Sequence, residues 1–277
     1  MIDRLILSQS SLQSYVDCPR RFELRYLREL EWPALETREA IELEAGMLQG
    51  HEFHHLLYQH AMGIPVAALE MTIEDATIRR WWQNYLAWQT EHLPPQRFAE
   101  TTVTTSITTG SSDIGPLLLT AKYDLLTRLP DGSLLIIDWK TGRPQRRAVL
   151  AGRLQTLVYR YALARAGDWL NEGHAVRPEQ IRMIYWFADD GSTVEFGYSE
   201  DEHQRDEQRL MSIVGEIVGR EEFPRTTDDR RCRFCCYRSL CDRGVEAPPI
   251  DEWLVAADEE MADPITIQLD DLEEISL

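Results

Sequence analysis

The spacing of hydrophobic positions switches between a helical period and a period of two along this chain, and the switches mark its elements. Leu12 and Tyr15, preceded by Ser8 and Ser10 as candidate caps, predict a short helix. Cys18-Pro19 interrupts it and restarts a helix through Phe22, Tyr26 and Leu30. A longer helix is predicted over about 39–62, where Leu48, Phe53, Leu56 and Leu57 fall at helical spacing. Another is predicted over about 72–92, whose Trp81, Trp82, Tyr85 and Trp88 read as core packing. The β-branched run from Thr101 to Thr109 predicts a strand, joined through Gly110-Ser111-Ser112 to a second strand over 117–126. Leu129-Pro130-Asp131-Gly132 is turn chemistry, so 133–140 is the returning strand. A helix over about 147–165, a hairpin of 180–188 with 193–198, and a helix over about 200–220 complete the pattern.

Mixed α and β periodicity in 277 residues with 43% hydrophobic content predicts an α/β protein with a substantial core. No run of 18 or more apolar residues occurs and the N-terminus lacks the apolar centre of a signal peptide, so a cytoplasmic protein without a membrane partner is expected. The formal net charge of −18 argues against general nucleic-acid affinity, but the charge is uneven. After Arg243 there is no lysine or arginine, while eleven acids fall between Glu246 and Leu277. Within the body, arginines gather near Arg20-Arg21, Arg143 to Arg153 and Arg230 to Arg238, and such local surfaces can bind phosphates.

Candidate chemistry centres on Asp138-Trp139-Lys140, which follows the apolar run Leu134 to Ile137. Residues two apart on a strand share a face. Only two of the 29 basic residues are lysines, Lys122 and Lys140, so a lysine beside a carboxylate at a strand end stands out. A hairpin centred on Asp131 places Asp124 opposite Asp138, and cross-strand Cβ atoms lie about 4.5–5.5 Å apart. Two carboxylates that close favour a shared hard cation such as Mg²⁺ or Mn²⁺. The same register sets Lys122 opposite Lys140. On the following helix Gln155 and Tyr159 share a face, and upstream His51, His54 and His55 offer an imidazole. Cys232, Cys235 and Cys241 form C-x₂-C-x₅-C, with Cys18 far upstream; in a cytoplasmic chain this is not a disulfide set.

Together, Leu7-Ser8-x-Ser10, Cys18-Pro19, Gly50-x₃-His54, Asp124, Asp138-x-Lys140-Thr141-Gly142, Gln155-x₃-Tyr159 and the cysteine spacing resemble the RecB-like branch of the PD-(D/E)XK nucleases. The nearest resemblance is to members with an iron-sulfur staple, the AddB nuclease domain and the CRISPR adaptation nucleases. It spans residues 7 to about 243. It implies a restriction-endonuclease-like α/β core, a mixed central sheet flanked by helices, with a helical N-terminal part and an Fe-S-stapled C-terminal segment. The nuclease domain then covers 1–245, with a helical insertion at about 60–98, and 246–277 is an acidic tail. It further implies His54, Asp124, Asp138 and the Trp139 carbonyl as ligands of Mg²⁺ or Mn²⁺. Lys140 would act on the attacking water and the phosphate, and Gln155 and Tyr159 would position substrate and lysine. Cys18, Cys232, Cys235 and Cys241 would hold a 4Fe-4S cluster that clamps the two ends of the body. Departures are Ala121, where the family commonly has glycine, and Cys236, a neighbour that competes with Cys235.

The resemblance thus implies a metal-dependent deoxyribonuclease acting on single-stranded DNA ends or overhangs, in recombination and repair or in CRISPR spacer acquisition. No G-x₄-G-K-[ST] occurs, so any unwinding is left to a partner helicase; an integrase is the other partner type. Two other readings stand beside it. One is a catalytically silent DNA-binding or scaffold subunit, which predicts loss of a site residue. The other is a zinc-bound interaction module built on the cysteines, which leaves Asp138-x-Lys140 and Gln155-x₃-Tyr159 without a role.

Overall fold

The computed structural model describes residues 5–30, 38–109, 115–232 and 235–243. The acidic tail, Arg233 and the Gly110-Ser111-Ser112 connection lie outside them. The chain opens with a strand, β1 (Ile6–Ser8), whose three residues are too few to show alternation in the sequence. Ser8 then caps α1 (Gln9–Asp17) in a reciprocal capping box with Ser11. Pro19 starts α2 (Pro19–Phe22), which widens into a π turn over Glu23–Leu27 and stops short of Leu30. The long helix α3 (Arg38–Ala61) is followed by a short α4 (Val66–Glu70). Asp75 then caps α5 (Ala76–His92), accepting from the Thr77 and Ile78 amides, so the helix expected from 72 begins four residues later.

The central strands are β2 (Phe98–Ile107), β3 (Leu117–Arg128) and β4 (Leu134–Lys140). The helix expected over 147–165 is two, α6 (Arg147–Gly152) and α7 (Leu154–Ala166), because Arg153 is extended between them. The freed amide of Leu154 is satisfied by Gln13 of α1. Strands β5 (Ile181–Phe187) and β6 (Thr193–Phe196) and the helix α8 (Glu200–Val218), capped by Ser199, complete the body.

These strands form one mixed six-stranded sheet. β2 runs antiparallel along almost the whole of β3, so the other edge of β3 is shared. Its first residues, Leu118 to Thr120, pair in parallel with β1; its last, Leu125 to Arg128, pair antiparallel with β4. β4 continues in parallel with β5. The sheet therefore forks at residues 121–124 of β3. The pairings Leu125↔Ile137 and Leu126↔Ile136 follow the register deduced from the Asp131 turn. Gly132, with φ of 84°, closes that turn while Asp131 accepts from the amide and hydroxyl of Ser133.

Helices cover both faces, giving the mixed α/β arrangement of a restriction-endonuclease-like core. On one face, Leu154, Leu157, Val158 and Tyr161 of α7 and Leu210 and Val214 of α8 pack on Leu119, Tyr123, Leu134 and Ile136. On the other, Phe53 of α3 and Trp81, Trp82 and Tyr85 of α5 pack on Leu135, Ile137, Trp139 and Trp186. Trp186 is fully buried with Phe53, Tyr85, Trp88 and Trp139 around it, which bears out the reading of the α5 aromatics as core. Truncating it leaves a large void, so Trp186→Ala is expected to lower unfolding free energy by roughly 3–5 kcal/mol in urea denaturation. A loss under about 1 kcal/mol would show that this aromatic layer does not support the sheet.

Candidate active site

At the fork the β2–β3 pair turns over. Tyr123 belongs to the core layer under α7, yet Leu125, two residues on, belongs to the layer under α3 and α5. Strict alternation puts such residues on one face. The reversal falls on Asp124 and on Glu100, which sits across from it and has a left-handed φ of 51°. The hairpin ladder of β3 and β4 ends at Leu125↔Ile137, one step before Asp124 and Asp138. Instead of a backbone carbonyl, the Trp139 amide finds the Asp124 carboxylate at 2.8 Å.

Three half-buried side chains converge here. His54 Nδ1 of α3 lies 3.6 Å from Asp124 Oδ1, and His54, Glu100 and Asp124 each offer a ligand atom within 4.8 Å of the others. Of the three neighbouring histidines, His54 is the one aimed at the sheet; His51 and His55 are exposed. Deeper lies a buried group. Lys140 Nζ contacts Asp138 Oδ2 at 3.0 Å, and Gln155 Nε2 donates to Asp138 Oδ1 at 2.7 Å and to the Tyr159 hydroxyl at 3.3 Å. Asp138, Lys140, Gln155 and Tyr159 are all less than 5% exposed. Tyr185 closes the floor, bonded to Thr156 at 2.7 Å with Lys140 above its ring.

The electrostatics follow from burial set against these contacts. Burial disfavours the His54 imidazolium, but the fields of Asp124, Asp138 and Glu100 and the hydrogen bond to Asp124 carry its pKa to about 9. Burial raises the Asp124 carboxyl; His54, the Trp139 amide and Lys140 outweigh it, and Asp124 ends below its ordinary value. Tyr159 is driven well up by burial and by the two aspartates, so at neutral pH it is a hydrogen-bond donor and not a base.

The cysteines form a second centre. Cys18, Cys232, Cys235 and Cys241 line one cavity together with Arg21, Arg225, Arg231, Arg238 and Arg243; Cys236 does not line it. The Thr226 amide donates to Cys18 Sγ at 3.4 Å. None of the five cysteines is in a disulfide. Burial and the neighbouring cysteines push the Cys232 and Cys241 thiols up. The same two chain ends are held by Tyr15, Phe22 and Phe223, whose rings pack at 5.6–6.4 Å.

The structure thus brings His54 and Asp124 together at the fork, with Asp138, Trp139, Lys140, Gln155 and Tyr159 adjoining. It does not set Lys122 opposite Lys140: the ladder has ended, and Lys122 pairs across the sheet with Thr102 and makes an ion pair with Glu100 at 2.5 Å. Glu100 is the residue that sequence reasoning missed. Its position at the head of a threonine-rich strand carried no motif, and only the left-handed backbone brings it to Asp124.

A family model described as the PD-(D/E)XK nuclease superfamily matches residues 6–242. A comparison with curated proteins gives no match. Among solved structures, the chain is similar to the crystal structure of SSO0001, with 14% identity, a TM-score of 0.44 and 87% of each chain covered. It is also similar to that of a candidate exonuclease from Eubacterium rectale, with 12% identity, a TM-score of 0.46, and 88% of this chain and 90% of that one covered.

The raised pKa of His54 has a sign that can be tested. Its stabilising contribution is fully present below the ordinary value of 6.5 and is lost as pH rises through about 9. In chelator-treated protein, unfolding free energy should fall by on the order of 3 kcal/mol more between about pH 6 and about pH 10 than in His54→Gln. Urea denaturation of both proteins at the two pH values measures the difference; equal losses would refute the His54–Asp124 pair.

Proposed function

We propose that this chain, which belongs to the PD-(D/E)XK nuclease superfamily, is a Mg²⁺- or Mn²⁺-dependent deoxyribonuclease of the RecB-like branch that acts on single-stranded DNA ends or overhangs. The observation that carries the reading is the convergence of His54, Glu100 and Asp124 within 4.8 Å, beside the buried Asp138–Lys140 pair. One imidazole and two carboxylates suit a hard divalent cation, and Asp138 and the Trp139 carbonyl would be the further oxygen ligands. When bound, the ion offsets charge developing on a phosphate and eases deprotonation of water.

The chain's own groups supply the rest. Lys140 is a compact triple donor held by Asp138, able to orient a water and to stabilise phosphate charge. Gln155 fixes Asp138 from the opposite side, and the Tyr159 hydroxyl accepts from the same Gln155 amide, so the aspartate keeps one orientation. Every residue of the site pattern is present, which favours an enzyme over a silent scaffold subunit. Unwinding would fall to a partner helicase, or in spacer acquisition an integrase complex would take the product.

For the cysteine centre we propose a 4Fe-4S cluster held by Cys18, Cys232, Cys235 and Cys241. Four thiols around one cavity fit its ligand set, and five arginines on the wall suit its negative charge. The cluster would join residues far apart in sequence and so act first as a clamp. No helix among the described residues is long and apolar enough to cross a membrane.

Asp138→Asn, which keeps the shape, and Lys140→Ala are each expected to lower Mn²⁺-dependent degradation of labelled single-stranded DNA by at least about 10²-fold with circular dichroism unchanged. Undiminished cleavage by either purified variant would refute the assigned roles. The protein should be brown, with broad absorbance near about 400 nm. Cys18→Ala should lose the iron and melt roughly 5–10 °C lower. A colourless, zinc-loaded protein, or unaltered iron and melting, would sink the cluster assignment.

A further inference from the structure

The ion pair between Glu100 and Lys122 has consequences for the metal site. Glu100 is one of the three side chains within mutual ligand distance, yet its carboxylate is also 2.5 Å from Lys122 Nζ. Both side chains are only partly covered, at 30% and 39% exposure, so the pair can open without rebuilding the core. Lys122 sits two residues before Asp124 on β3, with Thr102 as its partner on β2. Its ammonium is held at the rim of the site by the contact with Glu100. It is one of only two lysines in the chain, and both stand beside a carboxylate of this centre.

We propose that Lys122 is a tethered competitor of the divalent ion for Glu100: it holds the carboxylate until the ion displaces it, and so sets the metal concentration at which the site fills. The proposal rests on the metal-site reading given above. A carboxylate oxygen that faces an ammonium at hydrogen-bond distance cannot also give that lone pair to a cation. An attached competitor acts at an effective concentration far above that of a free monovalent salt. Lysine suits the task better than arginine. An ammonium is a single point of charge that lets go easily, whereas a guanidinium grips a carboxylate with two parallel bonds. Displaced from Glu100, the Lys122 ammonium remains at the mouth of the site, where a substrate phosphate is its natural new partner.

Calorimetric titration of Mn²⁺ into the full-length, chelator-treated protein tests this without reference to activity. Lys122→Gln should tighten metal binding roughly fivefold to tenfold, and Lys122→Arg should weaken it by a similar factor, with melting temperatures close to the parent in both. A merely structural lysine would not move the two variants in opposite directions. In a Glu100→Gln background the effect of Lys122→Gln should shrink to less than about twofold, because the shared carboxylate is gone. Binding unchanged or weakened by Lys122→Gln, while Asp124→Asn still abolishes it, would overturn the competitor role and leave the site standing. Binding untouched by Asp124→Asn would remove the site and the proposal together.

Discussion

The divided edge of β3 is the constraint on which the rest of this structure depends. Because β2 occupies one side of β3, the short β1 and the longer β4 must share the other, and they leave residues 121–124 between them. A sheet edge that stops pairing exposes backbone groups that must find partners. Here the Asp124 carboxylate takes the Trp139 amide, so a side chain does the work of a missing carbonyl. That single substitution anchors Asp124, positions the Asp138-Trp139-Lys140 segment against it, and opens a polar recess in the middle of an apolar sandwich.

Holding charge in that recess is costly, and the structure distributes it in two depths. The deeper Asp138–Lys140 pair is almost fully buried and compensated by Gln155. Breaking such a pair by removing one partner typically costs about 3–5 kcal/mol, whereas a hydrophobic replacement of both is often neutral. The pair is therefore poorly explained as a stabilising device. The shallower His54, Asp124 and Glu100 keep contact with solvent, and Glu100 adopts a left-handed backbone that a non-glycine residue takes at a cost of about 1–2 kcal/mol. Strain and buried charge in one place mark a region shaped by chemistry rather than by stability.

Much of this was legible in the sequence, and the reasons differ by residue. The β3–β4 register followed from one turn, since Asp131-Gly132 fixes the pairing of everything adjacent. The Gln155 and Tyr159 pairing followed from helical periodicity, and the aromatic face of α5 followed from composition. The choice of Cys235 over Cys236 as part of the cavity wall, and of His54 over its neighbours, needed side-chain direction that spacing only suggested. β1 was invisible because its partner lies 112 residues away, at Leu118 for Ile6. The meeting of Lys122 and Lys140 failed for the reason that Glu100 was overlooked: both required knowing that the strand pair turns over at Asp124. Local pattern carries registers and faces, but not the place where a sheet stops obeying its own alternation.

The cavity that gathers Cys18 with Cys232, Cys235 and Cys241 also imposes an order in time. During synthesis at about 5–20 residues per second, the first thiol leaves the ribosome roughly 11–45 s before the last. Until Cys232 emerges, Cys18 has no other cysteine of that cavity to join it. The four thiols therefore gather only after strands β2 to β6, which lie between Cys18 and Cys232, have been made.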